Sequence, residues 1–281
     1  ATAADLLLYH FDDVTPGVAV DATGNELHGV WLGPVATDDQ PLVGAQGSCS
    51  EAWCARNALY FEASSEAGVS APPNPGAEGT QTFTVEFYIR LDSTESGQVI
   101  LGFDDGVVGN PDWHISVVPF VGQSVRLLWS EGQLPGLDNA ISSPPLTTGV
   151  VYHVAVERVV DVPGSGQLIW YVNGLKDTAK SLDGALALAW EERTMWVGSH
   201  QGQSGFFTGW FDELRISKGA LYGGDFEKPT ALRARWDTYA LYHFDTGAGW
   251  IYNVAPTTAL PIVNEGATPM DDFTSPVAPC P

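Results

Sequence analysis

From Thr82 to Leu91 the chain alternates without a break. Phe83, Val85, Phe87 and Ile89 fall on one side, and Thr84, Glu86, Tyr88 and Arg90 on the other. A period of two predicts a strand with one face against a core. The same period runs through Val151–Val159, where Tyr152, Val154, Val156 and Arg158 oppose Val151, His153, Ala155 and Glu157. Gln167–Val172 is a short β-rich run closed by Asn173-Gly174, a dipeptide that suits the positive-φ positions of a two-residue hairpin. Further strands are predicted at Gln98–Phe103, His114–Pro119, Ser124–Trp129, Thr194–Gly198 and Trp210–Ser217. Between them lie Gly, Pro, Asp and Ser clusters, as at 71–79 and 104–112, and the 31 Gly and 19 Pro leave little room for long helices. Leu232–Tyr239 reads as one helical turn or a linker. Many short strands separated by turns predict an all-β sandwich or barrel.

One tetrapeptide recurs. Tyr-His-Phe-Asp stands at Tyr9–Asp12 and again at Tyr242–Asp245, each time in a strand-like run followed by a polar, Gly-containing stretch. The repeat sets the expected organisation: residues 1–230 form one domain, and 231–281 form an extension that repeats only the domain's first strand. Prolines at 256, 261, 269, 276, 279 and 281 mark the end of that extension as extended chain, not a core. Its strand has two possible uses. It folds back as an edge strand on its own sandwich, or it adds to a sheet of a second copy and drives self-association.

Charge narrows the partners. Twelve Lys and Arg against 34 Asp and Glu give a formal net charge of −22. Nothing basic is available to neutralise phosphates, so nucleic acid is excluded as a partner, as are polyanionic surfaces without a bridging metal. An acidic surface serves solubility, and a few of its carboxylates suffice to hold Ca²⁺. No run of eighteen apolar residues occurs, so no membrane-spanning helix is predicted. The opening Ala1-Thr2-Ala3-Ala4 has the small-residue character of a mature chain after signal cleavage, and a secreted or cell-surface location is expected. Three cysteines are present. Cys49 and Cys54 are spaced to staple one loop, and Cys280 is placed to pin the tail, so which pair forms a disulfide stays open.

A series of short motifs follows in order: Leu8-Tyr9-His10-Phe11-Asp12, Asp21-Ala22-Thr23-Gly24-Asn25, Ala58-Leu59-Tyr60-Phe61, Phe83–Ile89, Tyr152–Val156, Leu168–Gly174, Met195–Ser199 and Gly209–Ile216. Together they resemble the laminin-G-like domain of the concanavalin A-like lectin/glucanase superfamily, in its bacterial secreted form, over roughly residues 5–228. The resemblance implies a jelly roll of two antiparallel sheets. It also implies mostly non-catalytic roles in carbohydrate binding or adhesion. It further implies a calcium site in which Asp21 and Asn25 of the first loop meet Asp212 of the last strand. The oxygen donors and turn-permitting Gly24 suit that ion, whose ligands lie at about 2.3–2.6 Å. An Asx-turn without metal uses the same residues.

Catalysis is disfavoured. The superfamily's glucanases carry Glu-x-Asp-x-x-Glu or Glu-x-Asp-x-Glu on a strand, and neither occurs here. Asp212 and Glu213 are adjacent, so a regular strand points them to opposite faces. A retaining pair of carboxyls needs about 5–5.5 Å across one bond. No Gly-x-Ser-x-Gly elbow is present. For glycan binding, Asp112-Trp113-His114 sets a flat ring beside hydrogen-bonding groups in what reads as a loop, although a Trp there also serves as a buried loop anchor. Trp31 and Trp53 are also read in loops, and Trp170, Trp196 and Trp210 in strands. The expected function is a non-catalytic extracellular module that recognises a neutral glycan through loop aromatics, stabilised by structural calcium. A structural or adhesive subunit is the alternative, and a polysaccharide hydrolase or lyase on the same fold ranks last.

Overall fold

The computed structural model describes residues 18–19, 29–32, 36–38, 58–66, 68–71, 80–104, 111–132, 140–162, 164–183, 185, 187–188, 192–229, 232 and 238–242. The strands in chain order are β1 (Val18–Ala19), β2 (Gly29–Leu32), β3 (Ala36–Asp38), β4 (Ala58–Phe61), β5 (Gly68–Ala71) and β6 (Phe83–Leu91). There follow β7 (Val99–Asp104), β8 (Pro111–Pro119), β9 (Ser124–Glu131), β10 (Ile141–Ser142), β11 (Leu146–Thr147) and β12 (Val151–Val162). The last are β13 (Ser165–Val172), β14 (Leu175–Lys176), β15 (Lys180–Asp183), β16 (Thr194–Val197), β17 (Gly209–Lys218) and β18 (Thr238–Tyr242). One 3-10 turn spans Ala63–Ser65.

Two antiparallel sheets result. One runs β1-β2-β5-β16-β7-β8-β9-β10, with β11 also on β9. The other runs β14-β13-β12-β6-β17-β4-β3, with β15 on β13 and β18 on β17. Non-consecutive neighbours such as β6 between β12 and β17 are the crossovers of a jelly-roll sandwich. The alternation read from the sequence sets the inner face. Phe83, Val85, Phe87 and Ile89 enter the core beside Val154, Val156, Phe211, Leu214 and Ile216. From the opposing sheet come Leu101, Ile115, Val117, Leu127 and Trp129. Asn173 (φ 51°) and Gly174 (φ 81°) form the predicted tight turn, both in the left-handed region.

The sheets are joined by more than apolar contact. Arg158 of β12 and Glu131 of β9 face each other across the core edge, with Nε–Oε1 at 2.6 Å and Nη2–Oε2 at 3.1 Å. Both side chains are buried, at 0% and 1% exposure. Arg158 Nη1 also donates to the Gln81 carbonyl at 2.6 Å, and Trp129 Nε1 donates to Glu131 Oε1 at 3.2 Å. Alternation alone places Arg158 among apolar inner-face residues. The partner that makes it tolerable comes from the other sheet.

The repeated strand lies in cis. β18 pairs with β17 through Leu214↔Tyr242, Arg215↔Leu241 and Ile216↔Ala240. β4 takes the Gly209–Phe211 portion of the same edge. Two short strands thus share one side of β17, and the extension's strand hydrogen-bonds into the sandwich of its own chain.

Candidate functional site

On the outer face of the β6 sheet the alternation of β6, β12 and β17 presents polar side chains, and most of them are buried. Glu86, His153, Glu157, Asp212 and Ser217 have no exposed surface, and Tyr88, Glu213 and Arg215 have 5% or less. The cover is the segment that leaves β17 at Gly219 and crosses back over the sheet to Pro229. Phe226 N donates to the Gly174 carbonyl and Lys176 N to Asp225 Oδ1, both at 2.9 Å. Tyr222 and Phe226 stack at 3.7 Å between ring centroids and pack on Ala155, Ile169 and Tyr171. The turn glycine is needed here a second time. A Cβ on Gly174 would lie 2.0 Å from the Phe226 carbonyl oxygen.

The acidic residues hold this strap down. Tyr222 N donates to Glu157 Oε1 at 2.5 Å, and Tyr171 Oη donates to Glu157 Oε2 at 2.9 Å. Tyr222 Oη donates to Glu86 Oε2 at 2.8 Å, and Leu232 N to Glu213 Oε2 at 2.7 Å. Tyr88 Oη donates to the Pro229 carbonyl. Arg215 Nε donates to Glu86 Oε1 at 2.7 Å, and His153 Nε2 lies 3.3 Å from Glu86 Oε2. Burial pushes the Glu86 carboxyl up, but the Arg215 guanidinium, with His153 and the Tyr222 hydroxyl, outweighs it and leaves the group below its ordinary value. Burial raises Glu157, and the Tyr222 N–H and Tyr171 hydroxyl offset it only in part. Burial likewise raises the hydroxyls of Tyr88, Tyr171 and Tyr222, so all three remain donors at neutral pH.

Asp212 and Glu213 depart from the expectation of opposite faces. The register of β17 against β6 shifts between Asp212↔Tyr88 and Arg215↔Glu86, and Glu213 has φ 54°. This bulge inserts one residue, so Leu214 returns to the core while both acids stay on the outer side. Both carboxylates act on the Tyr88 hydroxyl, and Glu213 reaches the strap at Leu232. The sequence signal for this bulge is the odd spacing of three between the apolar Phe211 and Leu214, both of which reach the core.

Asp112-Trp113-His114 is also placed differently from its loop reading. β8 begins at Pro111, so the trio lies in a strand and alternation divides it. Trp113 is wholly buried in the core, stacked on Trp129 at 4.5 Å and packed on Phe83 and Phe103. Its ring cannot carry a sugar, which corrects the expectation of an exposed platform. His114, on the other face, is 1% exposed beside Gly102, where an added Cβ would approach His114 Cβ to 3.0 Å. Asp112 belongs to β8, and its side chain is outside the described set.

Burial, reinforced by nearby His200, holds the His114 imidazole down to about 4. His200 Nε2 itself lies 3.4 Å from Asp104 Oδ2. The unfolded imidazole takes up a proton near pH 6.5, whereas the folded one stays neutral until about pH 4. The contribution of His114 is therefore complete above pH 6.5 and is lost as pH falls towards 4, by about 3 kcal/mol. Urea unfolding at pH 7.5 and 4.5 is expected to show a smaller loss in His114→Leu than in the wild type. Equal losses would show that His114 titrates normally.

Asp21, Asn25, Cys49, Cys54 and Cys280 fall outside the described residues. Among the described residues no group of three or more His, Cys, Asp or Glu has the geometry of a metal site. No helix among them is long and apolar enough to cross a membrane. The strand tryptophans behave as expected: Trp170 is buried, and Trp196 and Trp210 are half-buried.

Beyond the strap, one cross-strand row of the same outer face remains partly open. Tyr60 of β4, Trp210 of β17 and Arg90 of β6 are in register. The Tyr60 and Trp210 rings are 5.0 Å apart and tilted by 45°, and Arg90 Cζ lies 5.0 Å from the Trp210 ring centre. Arg90 Nε and Nη2 each donate to Asp92 carboxylate oxygens at 2.9 Å.

A family model described as the concanavalin A-like lectin/glucanases superfamily matches residues 63–225, more than half of the chain. No curated protein matches it. Among solved structures, domain 4 of AbnA, a GH43 extracellular arabinanase from Geobacillus stearothermophilus in complex with arabinotriose, is similar at TM-score 0.50 and 20% identity. That match covers 78% of this chain and 95% of the other. The receptor binding domain of botulinum neurotoxin mosaic serotype C/D is similar at TM-score 0.49 and 13% identity, over 79% of this chain and 49% of that one. The SAP-like pentraxin of Limulus polyphemus is similar at TM-score 0.36 and 16% identity, over 51% and 66%. At 20% identity the likeness to the arabinanase domain concerns the fold.

Proposed function

The chain belongs to the concanavalin A-like lectin/glucanases superfamily, and we propose that within it this protein is a non-catalytic extracellular module that binds a neutral glycan. The observation that carries this reading is the strap. A glycosidase needs a carboxyl pair open to a bound sugar, whereas Glu86, Glu157 and Glu213 are each spent on hydrogen bonds to the strap or to Arg215. The cover over them leaves a substrate no approach from that side. A fold shared with an arabinanase domain complexed with arabinotriose supports a sugar ligand. The net charge of −22 favours an uncharged one. A glycan array with parallel turnover assays on a polysaccharide panel tests the reading. Binding without turnover is expected, and hydrolysis or the absence of any binding would refute it.

The structural calcium expected from the first loop belongs to the same proposal. Asp212 supplies a buried carboxylate beside that of Glu213 on one face, a hard-oxygen environment that suits Ca²⁺. Asp21 and Asn25 would complete the ligands, and the ion would tie the first loop to the last strand. An ion bound only by the folded form raises the melting temperature. Chelation is therefore expected to lower Tm and release one calcium per chain, measured by elemental analysis. An unchanged Tm and metal-free protein would remove calcium from the proposal.

A further inference from the structure

The glycan reading leaves the binding surface unassigned, because Trp113 is in the core. Three requirements define such a surface: accessible aromatic rings, hydrogen-bond donors and acceptors together, and no uncompensated charge. Phe120, 47% exposed under the Arg126 guanidinium at 4.1 Å, meets only the first. Among the described residues it has no second ring beside it, and Arg126 has no carboxylate partner.

We propose that the row Tyr60–Trp210–Arg90, with Asp92, is the surface on which this protein binds a neutral oligosaccharide, a proposal that rests on the glycan-binding reading above. The two rings form one apolar strip across β4 and β17, and all three row residues are half-buried, so ordering them costs little on binding. The Arg90–Asp92 fork stands at the end of the strip with side chains 32% and 24% exposed. Its two bonds cancel the charge, so the site has no electrostatic demand for an anion. Arg90 Nη1 makes no hydrogen bond to another described residue and remains a donor, while the Asp92 oxygens keep lone pairs for acceptance. Sugar hydroxyls need both kinds of partner.

The backbone holds the row in place. Gly209 precedes Trp210, and a Cβ there would lie 2.2 Å from the Arg90 carbonyl and 2.6 Å from Phe207 Cζ. The absence of a side chain lets β17 close on β6 at this point and brings the indole beside the guanidinium. Lys228 of the strap lies over Tyr88, the neighbour of the row on β6, with Nζ 5.9 Å from that ring.

The test is an array of neutral oligosaccharides probed with the full chain, its Tyr60→Ala, Trp210→Ala and Arg90→Ala variants, and Phe120→Ala as a control. Circular dichroism and Tm establish that each variant is folded. Binding is expected to weaken about tenfold or more in each row variant, be unchanged in Phe120→Ala, and be insensitive to salt between 50 and 500 mM, as for any uncharged ligand, roughly as screening predicts. If Trp210→Ala does not fold, Tyr60→Ala and Arg90→Ala decide the matter, because both side chains are partly exposed. Glycan binding by the wild type that survives in the folded row variants overturns the site and leaves the glycan reading standing. No glycan binding by the wild type overturns both. Affinity that falls steeply with salt overturns the neutral ligand class.

Discussion

Glu131→Ala is expected to destabilise the protein by about 3–5 kcal/mol, because it leaves the Arg158 guanidinium buried without its carboxylate. The expectation follows from geometry. Two short bonds, 2.6 and 3.1 Å, join strands of opposing sheets at sites with 0% and 1% exposure. The Gln81 carbonyl that Arg158 Nη1 also meets is neutral and cannot replace the lost carboxylate charge. The double variant Glu131→Leu/Arg158→Met is expected to recover most of the loss, since burying apolar groups of similar volume removes the desolvation cost of both ions. Chemical denaturation of Glu131→Leu, Arg158→Met and the double variant completes the cycle. Additive losses in the double variant would show that the two side chains do not act as a pair.

Arg215→Met carries the second large effect, and its signature is in pH dependence. In the wild type Glu86 titrates below its ordinary value, so its contribution to stability is present above the unfolded pKa and is lost as pH falls through the folded one. Removing the guanidinium leaves burial, the largest influence on Glu86, opposed only by His153 and Tyr222. The folded carboxyl then rises above its unfolded value. The sign of the Glu86 contribution reverses: in the variant it becomes less unfavourable as pH falls and is worst where Glu86 must be charged. A loss of about 3 kcal/mol or more at pH 8 is expected, shrinking on acidification to pH 5. Melting curves across that range test it. A variant whose Tm falls in parallel with that of the wild type would show that Arg215 does not govern Glu86. Because Tyr222 Oη also donates to Glu86, limited proteolysis within 219–229 is expected to accelerate in this variant.

The two predictions share a physical reason with what was hard to see in the chain. Arg158 and Glu86 each read as ordinary members of an alternating strand, and nothing nearby in sequence identifies Glu131 or Arg215 as a partner. Their separations are 27 and 129 residues. The aromatic row is similar. Tyr60 and Trp210 lie 150 positions apart and become neighbours only because β4 takes one half of the β17 edge. Trp113 was misleading for the converse reason. The Gly/Pro-rich stretch before it reads as loop, but β8 starts at Pro111, and period-two geometry then sends the ring inward.

The sequence by itself determined the all-β class, the inner face of β6, the Asn173-Gly174 turn and the family, because apolar periodicity and turn chemistry are local properties written residue by residue. Only the tertiary structure decided which polar residues are spent and which are free. The strap over the acidic face and the pairing of β18 in cis depend on contacts between distant segments, where burial and partner geometry set the energy of a charge and no local pattern records them.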